Sequence, residues 1–164
     1  MAVFSKRQQA LGLFFWLCVC FLVALLGAMA SIQAKSFYAQ LTQPEWAPPA
    51  WLFGPVWTFL YVLIAFSAWL VWCHGDRSAR VALSLFLIQL ALNGLWSWLF
   101  FAWHLGAYAF VNILFLWGMI VATLIAFWRV SPLASFLLLP YLLWVSFAAA
   151  LNFSIWQLNL SILS

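Results

Sequence analysis

Charged residues along this chain fall in a few short clusters, and long apolar runs separate them. The clusters are Lys6 and Arg7, then Lys35, Glu45, the group Asp76, Arg77 and Arg80, and finally Arg129. Between them lie five apolar runs, at about residues 10–31, 50–72, 81–103, 106–127 and 133–156. A hydrocarbon core about 30 Å thick takes roughly 20 helical residues at 1.5 Å each, and every run is long enough. Inside lipid the backbone must satisfy its own polar groups, which selects helices for runs of this kind. The pattern predicts an all-α membrane protein, a five-transmembrane-helix bundle forming one domain over 1–164. The first run ends in small residues, Ala28 and Ala30, like a signal-peptide cleavage site. At some 20 residues it exceeds the usual h-region of about 7–15, so it reads as a retained helix. Pro48 and Pro49 cannot sit together inside a helix and mark the approach to the second run. Pro55 is tolerable in that helix's first turn, and Pro140 should kink the fifth unless neighbours re-satisfy the freed carbonyl. An odd number of spans argues against two equal transporter repeats.

Composition narrows the class. The chain is 70% hydrophobic and 5% charged, against about 25% charged in ordinary globular domains, which excludes a soluble fold. The net charge of +4 is no nucleic-acid signal, because the charges sit in short connections where they orient helices. Lys6, Arg7, Arg77, Arg80 and Arg129 share one side and Lys35 alone holds the other. That bias predicts the amino terminus inside and the carboxyl terminus outside in a bacterial cytoplasmic membrane.

Candidate chemistry is sparse. The only carboxylates, Glu45 and Asp76, are in loops, so no Ser/His/Asp arrangement, phosphate loop or zinc motif exists. No motif calls for a metal or a required cofactor. Cys18, Cys20 and Cys73 lack metal-ligand spacing and read as small apolar fillers. His104, alone at a helix end, reads as a boundary residue before a haem ligand. Gln89, Asn93, Ser97, Asn112 and Asn152 are the polar groups within the spans, and their ordinary role is helix–helix hydrogen bonding. Asn93 and Ser97 share a face with Phe100 or Phe101 below, and Trp144, Ala148 and Asn152 share another. A pocket between such faces would be apolar and aromatic with one or two hydrogen-bonding groups, which suits a flat hydrophobic ligand. Gly118, Ala122 and Ala126 form a small-residue ridge that permits close helix approach, within the bundle or between two copies. Trp69, three turns beyond Trp57, reads as a membrane-belt residue.

Three blocks carry a family resemblance. They are W-A-P-P-A-W-L-F-G-P-V-W-T-F-L-Y at 46–61, L-N-G-L-W-S-W-L-F-F at 92–101, and S-P-L-A-S-F-L-L-L-P-Y-L-L-W-V-S-F-A-A-A-L-N-F-S-I-W-Q-L-N at 131–159. In this order and spacing the chain resembles the TspO/MBR family, over essentially its whole length. The resemblance implies a five-helix membrane protein with a pocket between helices beneath loop 1. Porphyrins bind there, with sterols in some branches and benzodiazepine-type compounds as synthetic ligands. Carried over by motif, the pocket residues are Trp57, Asn93 and Trp144, with Ala148 and Leu151 on the same helix face as Trp144. Trp51, Tyr61, Trp96 and Phe100, from the same blocks, complete the implied ligand set. The implied function is a porphyrin-binding sensor or regulator, with a homodimer among its expected partners. The alternatives are light-dependent porphyrin degradation, which would use Trp57 and Trp144, or porphyrin or sterol transport. The animal cholesterol motif is absent: Phe153 stands for its Tyr, and no basic residue follows. That departure points to a bacterial-type member.

Overall fold

The computed structural model describes residues 4–163, and every regular element among them is helical. Helix α1 (Lys6–Ala30) opens on a reciprocal cap in which Ser5 accepts from the Gln8 amide and the Gln8 side chain accepts from Ser5 N–H. A short helix, α2 (Ala34–Gln40), follows, and a 3-10 turn (Ala50–Leu52) leads into α3 (Phe53–Trp72). The next helix, α4 (Arg77–Ser97), passes into a π-helical turn (Trp98–Ala102). The chain closes with α5 (Gly106–Val130) and α6 (Pro132–Leu158). Five of these helices are long and apolar enough to cross a membrane.

Two details differ from the pattern reading. The polar connection after α1 contains α2, because Phe37 and Tyr38 are buried and anchor a turn that periodicity over seven residues cannot announce. Helix α4 begins at Arg77, ahead of the apolar run, because Asp76 accepts the Ala79 amide at 2.7 Å and caps it. Pro140 lies within α6, which continues through it from Pro132 to Leu158.

The long helices close a ring in the order α1, α3, α6, α5, α4, with α4 returning to α1. Lipid tails are as apolar as leucine, so such a bundle is held by close packing and interhelical hydrogen bonds. Ser67 on α3 donates to Ala134 O on α6 at 2.6 Å, and Ser135 on α6 donates to Leu124 O on α5 at 2.9 Å. Asn112 on α5 donates to Leu92 O on α4 at 3.0 Å, which is the helix-joining role expected of it. Bonds of this kind average roughly 0.6 kcal/mol in membranes.

Helix α1 is the least embedded of the five, with 17% of its apolar window buried against 39% in α3 and α5. Its contact stripe is narrow: Gly12, Trp16, Cys20, Gly27 and Ala30. A Cβ at Gly12 would strike the Trp72 ring, 2.7 Å from Cε3, so only glycine lets the two helices approach there. Trp69, expected in the lipid belt, instead donates its indole N–H to Gln9 O at 2.9 Å and fastens α3 to α1.

Candidate ligand site

Loop 1 is fixed before it can shape anything below it. The Asn159 side chain, at the end of α6, accepts from Thr42 N–H and donates to Thr42 O, both at 2.8 Å. This amide clamp ties residues 117 apart in sequence. Gln43 donates to Tyr38 O at 2.6 Å, and Tyr38 donates its hydroxyl to Pro48 O at 3.2 Å, which folds the proline segment back on α2. Burial pushes the Tyr38 phenol above its ordinary value, so it stays a neutral donor. Phe37 stacks on the His104 imidazole, with ring centroids 4.1 Å apart. His104 itself takes the left-handed conformation, φ 57°, that ends the helix between α4 and α5. It therefore supports α2 from below.

Beneath α2 lies a cavity of about 700 Å³ between α1, α3 and α4. Its walls are aromatic and aliphatic: Trp51, Phe53, Trp57, Trp96 and Phe101 face Phe21, Ala24, Leu25 and Ala28 of α1. At the inner end of the lining stand Tyr61, about 12 Å down α3 from its start at Phe53, and its hydrogen-bond partner Asn93 of α4. They open a buried hydrogen-bond chain through the bundle. Tyr61 OH donates to Asn93 Oδ1 at 2.8 Å, Asn93 Nδ2 donates to Tyr141 OH at 2.7 Å, and Tyr141 OH donates to Gln89 Oε1 at 2.7 Å. Gln89 Nε2 finds no acceptor among the described residues. Trp96 is held upright by Asn152, which accepts its indole N–H at 2.9 Å and donates to Gly106 O at 3.2 Å. Its ring stacks on Phe100 at 5.3 Å. Trp57 leans on Tyr61 at 5.7 Å and Tyr141 at 6.3 Å.

Of the residues singled out by sequence, Trp51, Trp57, Tyr61, Asn93 and Trp96 line this cavity. The other four do not. Trp144 and Ala148 line a separate void of about 20 Å³ behind the wall made by Phe53, Trp57, Asn93 and Trp96. Phe100 and Leu151 are buried in the core cluster under loop 1. Trp57, Asn93 and Trp144 do converge on that small void, but only the first two also line the large cavity. The reason is ring order: α6 lies behind α3 and contributes nothing to the cavity lining.

Sequence reasoning missed the whole α1 wall and the α2 rim, including Lys35 and Tyr38. The small residues Gly27 and Ala28 were the available signal. A Cβ on Gly27 would sit 3.2 Å from Ser97 Oγ, so glycine here sets how closely α1 closes on α4.

Comparison with known proteins agrees with this architecture. The TspO/MBR family model matches residues 14–157. The chain is 43% identical over 156 residues to the tryptophan-rich protein TspO of Chlorobaculum tepidum, covering 93% of this chain and 99% of that one. It is 43% identical over 126 residues to the translocator protein of Ovis aries, covering 75% of each. Over 144 residues it is 36% identical to the tryptophan-rich sensory protein of Cereibacter sphaeroides, covering 88% of this chain and 89% of that one. Its five apolar helices, together with this similarity, make it a multi-pass membrane protein. The chain belongs to the TspO/MBR family.

Proposed function

We propose that this protein is a membrane-embedded sensor or regulator that binds a porphyrin, or a similarly flat apolar molecule, in the cavity beneath α2. The observation that carries the reading is the cavity itself. At about 700 Å³ it falls within the roughly 300–1,000 Å³ of small-molecule sites, and it combines aromatic walls with few polar groups. The relative named a tryptophan-rich sensory protein supports the sensing role. Purified protein in neutral detergent is expected to bind protoporphyrin saturably in an absorbance titration. Partitioning no greater than into empty micelles would overturn the reading. The same titration under illumination separates binding from degradation, since a bilin-like product changes the spectrum. Flux into sealed liposomes separates both from transport.

Two further points belong to this proposal. The charge bias supports an amino terminus inside and loop 1 outside in a bacterial cytoplasmic membrane, so a reporter after Ser164 should behave as periplasmic and one at Ser78 as cytoplasmic. A homodimer would seat on the outer face of α5, where a Cβ on Gly118 meets no atom within 4 Å. Gly118→Leu should then shift the solubilised protein towards monomer in light scattering.

A further inference from the structure

The polar groups around the cavity are almost all neutral and most of their protons are committed, with the Ser97 hydroxyl and the Trp51 and Trp57 indole N–H groups left as neutral donors. Ser31 donates its hydroxyl proton to Gly27 O at 2.8 Å, and Thr58 donates to Gly54 O at 2.9 Å. Tyr38 donates to Pro48 O, Tyr61 to Asn93, and Trp96 to Asn152. The hydroxyls can still accept, but each of these protons is spent on the protein. Lys35, on the exposed face of α2 at the rim, is the only charged residue in the lining. At the far end, Tyr61 and Asn93 lie at membrane depth with no cation beside them in the lining, where a buried carboxylate would cost several kcal/mol.

From this asymmetry we infer that Lys35 is a specificity-determining residue. It selects a flat apolar ligand that carries a carboxylate on one edge, and holds that edge outward at the α2 rim with the ring body against Trp57 and Trp96. The inference rests on the cavity being the binding site, and it adds the ligand's charge and orientation. A hydrophobic site that reads only area would accept the acid and its ester alike. A site with a cation at its mouth discriminates between them.

The test compares protoporphyrin with its dimethyl ester, and pyrenebutyrate with its methyl ester, as probes of wild type, Lys35→Gln and Lys35→Glu in neutral detergent. Lys35 is exposed, so both variants should fold as wild type. Lys35→Gln should weaken each acid about threefold to fivefold, the upper part of the range for an exposed charge pair, and leave each ester unchanged. Lys35→Glu should weaken the acids further, and added salt should shrink the wild-type preference. Arg129→Gln, at the opposite end of the bundle, should leave all four affinities unchanged and so excludes a general effect of net charge. If porphyrins fail to bind but pyrenebutyrate keeps a Lys35-dependent preference over its ester, the porphyrin reading falls and this inference stands. Equal acid and ester affinities in wild type, or an acid preference that survives Lys35→Gln, overturns it.

Discussion

The bundle has two sides built on different terms. On the α5–α6 side, buried residues recur on every turn: Ala109, Asn112, Ile113, Leu116, Ile120, Thr123, Leu124 and Phe127 on α5 face Ala134, Leu138, Tyr141, Val145 and Ala148 on α6. Polar side chains there are spent inside the protein: Asn112 on Leu92 O of α4, Thr123 on Met119 O of its own helix, and Tyr141 on Gln89 Oε1. On the α1 side, a narrow stripe of small residues touches α3 and α4 and then parts from them to leave the cavity. The lesson is that stability and ligand space have been separated. The α4–α5–α6 side carries the packing, and the helix with the least burial forms the cavity's outer wall. Helices that enclose a ligand are expected among the less stable parts of a structure.

Tryptophan substitutions probe that division, beginning with the largest effect. Trp144→Ala should cost about 3 kcal/mol of stability, as large-to-small core changes do, read as a lowered thermal midpoint in detergent. Porphyrin affinity should change less than threefold, because Trp144 lies behind the cavity wall. A tenfold loss of affinity would mean that the void and the cavity merge when ligand binds. Trp57→Ala should behave in the opposite sense. Its ring faces the cavity, so affinity should fall at least tenfold, about 1.4 kcal/mol, with the smaller stability loss of the two.

A finer contrast lies in the indole N–H groups. Trp96→Phe strands Asn152 Oδ1 and should destabilise the protein by about 1–2 kcal/mol. Trp144 Nε1 is buried with no acceptor among the described residues, so Trp144→Phe removes an unpaired donor and should be neutral or slightly stabilising. Equal destabilisation in the two variants would show that Trp144 has a partner in the membrane. The smallest effect belongs to Gly118→Ala, where an added methyl meets open space and helix propensity improves, so stability should rise by no more than about 1 kcal/mol. Gly12→Ala, against Trp72, should instead loosen α1.

Much of this was legible before any coordinates. The five spans were, because lipid solvates helices only where an apolar run is unbroken, and most ends of these runs are marked by charge or proline. Trp51, Trp57, Tyr61, Asn93 and Trp96 were picked out by ordered motif blocks and do face one space. Helix α2 was not legible, since seven residues held by Phe37, Tyr38 and a distant Asn159 clamp leave no periodic trace.

The sequence by itself determined the five long apolar helices, their approximate extents, the unequal charge of the connections and the family. These follow from local hydrophobicity and from residue order, which a linear chain states outright. Only the tertiary structure decided which helix faces which. It put α6 and Trp144 behind the cavity wall, gave the outer wall to α1, set Lys35 at the rim, and joined Tyr61, Asn93, Tyr141 and Gln89 into one chain. Helices that are apolar all round carry almost no amphipathic signal in lipid, so their rotation and neighbours are set by close contacts at Gly12 and Gly27 and by a few interhelical hydrogen bonds.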